Sequence, residues 1–120
     1  MIDSDRITEL ELEIGPDDLG LVVSTFFDEA AATIERMAGG LAAEDRVRAL
    51  HFLRSGALNI GFRGLAGAAG AFESEAARDR CGDAGGIVEE LRALLCRTRK
   101  AMVGRGFASH GSGCAAGDVR

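Results

Sequence analysis

The chain has 120 residues, of which 47% are hydrophobic and 28% are charged, and its formal net charge is −5. This length fits a single globular domain, and the acidic charge argues against nucleic acid as the main partner, because phosphate backbones bind basic surfaces. The single proline and the aromatic content of only 5%, without tryptophan or tyrosine, favour helices over an all-β fold.

Cys81, Cys96 and Cys114 are widely spaced and odd in number. This pattern predicts neither a disulfide framework nor a zinc site, and we interpret the three cysteines as reduced thiols of a cytoplasmic protein. The acidic N-terminus, MIDSDRITELELE, lacks the apolar run of a signal peptide. No apolar stretch of the sequence is long enough to cross a membrane.

Apolar residues recur at helical spacing in residues 6–14 and predict a short first helix, although the alternation over residues 10–14 would also suit a strand. Gly15 and Pro16 then start a second helix of about 22 residues and about 33 Å. Two glycines at positions 39 and 40 end it. Its apolar stripe consists of Leu19, Val22, Val23, Phe26, Ala30, Ile34 and Met37.

Three further helices are predicted over residues 43–60, 62–78 and 86–102. Gly61 ends the first of them, and a loop rich in Gly and Asp over residues 79–86 precedes the last. The residues predicted to face inward are Val47, Leu50, Leu53 or the stem of Arg54, Ala57, Ile60, Leu65, Ala68, Ala69, Phe72, Ala76, Ile87, Leu91, Leu94, Leu95 and Met102.

Four long amphipathic helices joined by short connections bury their apolar stripes best as an up-down-up-down bundle. The predicted fold class is therefore all-α, a four-helix bundle whose one end is capped by the short N-terminal helix. We predict that residues 1–103 form this bundle and that residues 104–120, which lack periodicity, form a flexible C-terminal tail. Gly64, Gly67 and Gly70 are spaced by three and could allow close approach to a neighbouring helix.

His51 lies on the shoulder of the predicted apolar stripe, one step of about 100° from Leu50, and is therefore half exposed. Arg54 lies on the same face one turn later, and the small residues Ser55 and Gly56 leave the imidazole uncovered. Most single histidines on helices have no chemical role. A bare histidine beside a cation nevertheless suits a phosphoryl group that arrives and leaves.

Glu73 is the predicted partner of His51. If the chain reverses at Gly61, Glu73 comes level with His51 across the hairpin and can hydrogen bond to one ring nitrogen. A carboxylate on one nitrogen fixes the tautomer and leaves the other nitrogen with a lone pair. Without this pairing, Glu73 would be an ordinary solvated acid.

Residues 51–61, HFLRSGALNIG, resemble the motif H-x-L-K-G-S/A-A of the histidine-phosphotransfer (HPt) domains of bacterial two-component phosphorelays, and the resemblance extends over about residues 5–103. It implies that His51 is the phosphoacceptor, that Arg54 replaces the usual Lys and offers charge to the phosphoryl oxygens, and that Glu73 is the acid beside the histidine. Ser55 stands where the family usually has Gly. Its hydroxyl could donate to a phosphoryl oxygen or crowd the incoming partner.

The resemblance implies a phosphoryl carrier without kinase activity of its own, which relays a phosphoryl group between receiver-domain aspartates through His51. Its partners would be response-regulator receiver domains or a hybrid sensor kinase, with Mg²⁺ on the receiver and no cofactor on this chain. We expect a cytoplasmic monomer that contacts neither nucleic acid nor a membrane. Phe52 and Leu58 are predicted to belong to the docking face, although packing against a neighbouring helix is an equal alternative for Leu58.

The rival hypothesis is a non-phosphorylated helical adaptor that binds a signalling partner and keeps His51 by accident or for packing, and Ser55 is its best support. A phosphatase-like or kinase-associated dimer would need a large uncovered apolar stripe, which the sequence lacks. His110 and Cys114 provide too few ligands for a metal site. The sequence contains no P-loop and no convincing hydrolase triad.

Overall fold

The computed structural model describes residues 2–77 and 84–105, and these residues are helical apart from the connections and one isolated β-bridge. Four helices follow one another, namely α1 (Ser4–Ala38), α2 (Ala43–Ile60), α3 (Arg63–Ala77) and α4 (Ala84–Gly104). The all-α prediction is confirmed. Within the described residues, no helix combines the length and the apolar character needed to span a bilayer.

Each helix packs mainly against two others, because α1 contacts α2 and α4 while α3 contacts the same two helices. The helices enclose one apolar core, and removing apolar surface from water is the main force that holds such a core together. The largest fully buried side chains of the described residues are Phe62, Leu19, Ile34, Leu50, Leu53, Leu65, Leu91, Met102 and Thr98.

The two predicted N-terminal helices are joined in α1, whose helical dihedral angles are interrupted at Gly15 (φ 85°, ψ 159°) directly before Pro16. Glycine is favoured at a positive φ, and the proline ring prevents the helix from continuing unbroken through this position. The alternative of a strand over residues 10–14 is wrong, because these residues are helical. Ile7 and Leu10 are buried, whereas Ile14 is exposed.

The start of the chain lies against the turn between α2 and α3. The backbone N–H of Asp3 donates to the Gly61 carbonyl at 2.7 Å, and Ile2 forms an antiparallel bridge with Phe62. Arg6 Nε donates to the Asn59 carbonyl at 2.8 Å. These contacts tie the first turn of α1 to the end of the helical hairpin.

The bounds of α2 are those predicted, and Gly61 ends the helix as expected. Gly61 adopts a left-handed conformation (φ 109°), and its N–H donates to the Ala57 carbonyl. A Cβ at this position would also meet Arg6 Cβ at 3.1 Å. Gly61 is therefore required both by its backbone angle and by the close approach of α1.

The other predicted boundaries need small corrections. Helix α3 begins one residue later than predicted and ends at Ala77. Helix α4 begins at Ala84, two residues before its predicted start at Gly86. The rest of the predicted loop, including Cys81, lies outside the described residues.

Helix α4 extends two residues beyond its predicted end at Met102. Gly104 belongs to α4, and the N–H of Arg105 donates to the carbonyls of Ala101 and Met102, so the periodic hydrogen bonds of the helix continue past the end of its apolar pattern. Residues 106–120, which include His110 and Cys114, lie outside the described residues.

The core is broader than the predicted stripes. Val22 was expected to face inward but is exposed, whereas Phe27 and Val88 are buried. Phe27 stacks on Phe62 with ring centroids 5.4 Å apart. Arg99 is only 3% exposed, its guanidinium lies 5.0 Å from the Phe27 ring centroid, and its Nε and Nη2 have no hydrogen-bond partner in the described part of the chain.

Candidate functional site

His51 lies in the middle of α2 on the face that turns away from the core. Its side chain is 57% exposed, whereas the preceding residue, Leu50, is fully buried. Consecutive helical residues are separated by about 100° around the axis, which explains how one residue fills the core while the next reaches solvent. The burial of Leu50 and Leu53 fixes the direction in which the imidazole projects.

Glu73 projects from α3 toward the imidazole. Its Oε2 lies 3.2 Å from His51 Nδ1, and its side chain is 21% exposed. This is the contact expected from the register of a hairpin that reverses at Gly61. The structure therefore brings together two residues that are 22 positions apart in the sequence.

Arg54 lies across the same pair. Its Nε donates to Glu73 Oε1 at 2.8 Å, and its Nη2 lies 2.9 Å from His51 Nδ1. The guanidinium therefore covers the Nδ1 side of the imidazole, and its donors point at Glu73 and at the ring. In this arrangement the cation does not extend toward the exposed Nε2.

Gly70 provides the space that Arg54 occupies. A Cβ at Gly70 would lie 3.0 Å from Arg54 Cδ, whereas a Cβ at Gly67 would have nothing within 4 Å. The sequence indicated that these glycines might admit a neighbouring helix, but at Gly70 the close neighbour is the side chain of Arg54. The spacing of small residues alone could not identify which atom would lie there.

The carboxyl group of Glu73 is subject to opposing influences. Burial is the largest of them and raises its pKa, because it disfavours the charged form. Hydrogen bonds and charge interactions with Arg54 and His51 act in the other direction and together outweigh burial, so the pKa of Glu73 lies below its ordinary value of 4.5. Glu73 is therefore a carboxylate at neutral pH.

Ser55 lies beside the outer nitrogen of the ring, Nε2. Its Oγ lies 3.4 Å from His51 Nε2, and the residue is exposed. The neighbouring Gly56 faces the interior, where a Cβ would lie 2.7 Å from Phe26 Cε1. The site therefore presents Nε2 to solvent with one hydroxyl beside it.

Phe52 and Leu58, the predicted docking residues, are both exposed on α2, Leu58 with 53% of its surface accessible. Neither is buried against a neighbouring helix. Phe52 lines an open groove between α1 and α2, together with Arg36 and Ala49. Both side chains are available to a partner that approaches α2.

Within the described residues, no group of three or more His, Cys, Asp or Glu side chains is placed to hold a metal ion. The site itself consists of an exposed imidazole, a carboxylate, a guanidinium and a hydroxyl. An imidazole with one nitrogen engaged and the other accessible is a potential nucleophile.

The family model described as Hpt domain matches residues 21–101, which include more than half of the chain and all four residues of the site. No curated protein matches the chain, and no solved structure does.

Proposed function

The chain belongs to the Hpt domain family, and we propose that His51 relays a phosphoryl group between receiver-domain aspartates. Members of this family carry phosphoryl groups in phosphorelays and interact with receiver domains and kinases. The observation that carries the proposal is the environment of the imidazole. Its Nδ1 side is occupied by Glu73 and Arg54, while the side chain as a whole is 57% exposed.

Nε2 is the proposed nucleophile, since it is the ring nitrogen on the accessible side. Its lone pair forms the nitrogen–phosphorus bond while the bond between phosphorus and the aspartate oxygen breaks, and the electron pair of that bond leaves with the carboxylate. The second transfer reverses these changes on the aspartate of another receiver domain. Nδ1 keeps its proton in both steps.

Glu73 and Arg54 have complementary proposed roles. A phosphorylated imidazole that keeps a proton on Nδ1 carries positive charge on the ring, and the nearby Glu73 carboxylate stabilises that charge. A guanidinium binds phosphoryl oxygens with two parallel hydrogen bonds, so Arg54 can contact the phosphoryl group once it moves toward Nε2. Ser55, whose Oγ lies 3.4 Å from Nε2, is also close enough to contact that phosphoryl group.

The proposal extends to partners and location. Phe52 and Leu58 would contact the receiver domain, which would also supply the Mg²⁺, and this chain would have no cofactor and no kinase activity of its own. We propose that the protein is a cytoplasmic monomer. The exposure of both apolar side chains beside His51 supports this choice of docking face.

We also propose the up-down-up-down order for the bundle, with the segment before Gly15 as its N-terminal cap. The ring of neighbouring helices supports this order. The short connections over residues 39–42 and 61–62 also favour antiparallel neighbours. The contacts of Asp3 and Arg6 with the α2–α3 turn support the cap.

The test is phosphoryl transfer from a chemically phosphorylated receiver domain, detected by intact mass. The wild-type chain should gain one phosphoryl group that is lost in acid, and His51→Gln should gain none. Because the sequence contains one other histidine, His110→Gln is the matched control and should be phosphorylated like the wild type. Thermal unfolding should be unchanged in His51→Gln, since the replaced side chain is exposed.

A wild-type chain that binds receiver domains but gains no phosphoryl group from any of them contradicts the proposal. That result would favour the alternative function, a helical adaptor that binds a signalling partner without being phosphorylated. Phosphorylation that persists in His51→Gln would also contradict the assignment of the site.

A further inference from the structure

The Nδ1 atom of His51 lies between a hydrogen-bond donor and a hydrogen-bond acceptor. Arg54 Nη2 lies 2.9 Å away and can only donate a hydrogen bond, whereas the ionised Glu73 Oε2 lies 3.2 Å away and can only accept one. A nitrogen of a neutral imidazole carries either a proton or a lone pair. Nδ1 therefore satisfies one of these two neighbours at a time.

The surrounding contacts favour Arg54 as the neighbour that is satisfied. The distance from Nδ1 to Arg54 Nη2 is the shorter of the two, and the guanidinium is held in place because its Nε donates to Glu73 Oε1 at 2.8 Å. On the other side of the ring, Ser55 Oγ lies 3.4 Å from Nε2 and can accept a hydrogen bond from an Nε2–H group. Both sides of the imidazole are thus compatible with a proton on Nε2.

We propose that Arg54 is a positioning residue that keeps the proton of neutral His51 on Nε2 while the chain is unphosphorylated. In this state the accessible nitrogen has no lone pair to attack phosphorus. The inference rests on the proposed function, because it concerns the readiness of His51 as a phosphoacceptor. It gives Arg54 a second role, which is to decide which ring nitrogen of His51 carries the proton, in addition to the contact with phosphoryl oxygens.

The nucleophilic tautomer forms when Arg54 Nη2 leaves Nδ1. The proton on Nε2 passes to solvent, Nδ1 takes up a proton from solvent, and the new Nδ1–H donates to Glu73 Oε2. The net result is the movement of one proton between the ring nitrogens, and Nε2 gains the lone pair. The negative charge of an incoming acyl phosphate attracts the guanidinium, so arrival of the phosphoryl donor prepares the nucleophile.

Gly70 helps to set the position of the Arg54 side chain. Because a Cβ there would lie 3.0 Å from Arg54 Cδ, an alanine would push the arginine side chain away from its present position by a few tenths of an ångström. His51, Arg54 and Glu73 would all keep their chemical identity in Gly70→Ala. This substitution therefore perturbs the placement of the guanidinium without removing it.

The tautomer can be read directly by nitrogen-15 NMR of the imidazole, recorded at a pH at which His51 is neutral and with no phosphoryl donor present. The wild type should carry the proton on Nε2. In Arg54→Met the proton should move mainly to Nδ1, with a change of roughly tenfold in the tautomer ratio, as expected for the loss of a hydrogen bond from a charged donor. Gly70→Ala should change the ratio in the same direction by a smaller factor.

Two control variants keep the wild-type arrangement. Gly67→Ala makes the same substitution one turn earlier in α3, where a Cβ has nothing within 4 Å. Arg48→Met removes another arginine of α2, one that is 71% exposed and whose Nη2 pairs with Asp45 Oδ1 at 2.6 Å. Both controls should show the wild-type tautomer. Amide spectra of every variant check that the bundle is folded.

The inference is wrong if the wild type carries the proton on Nδ1, or if Arg54→Met and Gly70→Ala leave the tautomer ratio unchanged. The proposed function is tested separately by the mass measurement. A tautomer that depends on Arg54 in a chain that accepts no phosphoryl group supports the assignment to Arg54 and contradicts the relay. Phosphorylation of His51 together with a tautomer ratio that does not depend on Arg54 supports the relay and contradicts the assignment to Arg54.

Discussion

The two faces of α2 differ most clearly at the neighbouring small residues Ser55 and Gly56. Gly56 faces the core, where a Cβ would lie 2.7 Å from a ring carbon of Phe26. Ser55 faces solvent, and its hydroxyl lies 3.4 Å from His51 Nε2. One position excludes a side chain because the core is full, whereas the other carries a side chain beside the proposed nucleophile.

Of these two adjacent residues, Gly56 therefore contributes to stability, and Ser55 contributes to the proposed chemistry of the site. The core face holds α2 at a fixed distance from α1, and the aromatic rings of Phe26, Phe27 and Phe62 surround the contact. The site face carries the exposed or partly exposed polar groups of His51, Arg54 and Ser55, which another molecule can reach. Substitutions on the core face should change the free energy of unfolding, and those on the site face should change phosphoryl transfer.

Gly56→Ala should give the largest effect on stability. The new methyl group would overlap Phe26, whose ring is confined by Phe27 and Phe62. Overpacking of this kind costs about 1–3 kcal/mol and outweighs the gain of up to about 1 kcal/mol from replacing glycine in a helix. Denaturant unfolding should therefore show a net loss of about 1–2 kcal/mol.

Gly67→Ala is the matched comparison, since a Cβ at Gly67 meets nothing within 4 Å. It should stabilise the chain by about 0.5–1 kcal/mol through helix propensity alone. If both alanine variants shifted stability in the same direction, the contrast between a filled core face and an open surface would be wrong.

Glu73→Gln should show a smaller effect that depends on pH. The folded chain lowers the pKa of Glu73 below 4.5, so the carboxylate contributes stability above the pKa of the unfolded chain, and this contribution is lost as pH falls through the folded pKa. At neutral pH the wild type should be more stable by about 0.2–1 kcal/mol, the range for partly exposed ion pairs.

The measurement is the difference in unfolding free energy between wild type and Glu73→Gln as a function of pH. It should be constant near neutrality and shrink as the pH falls below 4.5. Glu75→Gln, on an exposed position of the same helix, is the control and should show little change. A difference that persisted unchanged in acid would argue against the charge interactions of Glu73 as its source.

Ser55→Gly should give the smallest effect on the function of the site, and this effect should appear in the transfer rate. Removing the side chain clears the space beside Nε2, so the rate of transfer from a phosphorylated receiver domain should rise a few-fold. Ser55→Ala removes the hydroxyl but keeps the Cβ, and it distinguishes crowding from hydrogen bonding. A slower rate in both variants would instead assign the hydroxyl a favourable contact with the phosphoryl group.

The sequence was sufficient for those features that depend on neighbours along the chain. The bounds of α2, the left-handed Gly61 and the alignment of Glu73 with His51 all follow from helical periodicity and from the position of one turn. Each of these rests on local geometry that a few residues determine. His51 and Glu73 lie on the two helices of one hairpin, so their contact requires only that this hairpin forms.

Features that depend on packing between helices were not predictable in the same way. The sequence indicated that Arg54 would serve the phosphoryl group, but it gave no sign that the guanidinium would lie between Glu73 and Nδ1 above Gly70. The burial of Arg99 against Phe27 was missed for the same reason. The side chain that an arginine contacts is decided by which helices meet, and periodicity does not specify this.

The site is built from α2 and α3 alone, two helices that are joined by residues 61 and 62. Its most distant pair, His51 and Glu73, is 22 positions apart, whereas Ser4 and Arg105, which join the two ends of the described chain, are 101 positions apart. Closing the short hairpin costs less chain entropy than joining the ends, and contacts of low sequence separation form faster. During folding, the proposed phosphoacceptor can therefore meet its carboxylate before the bundle has closed around them.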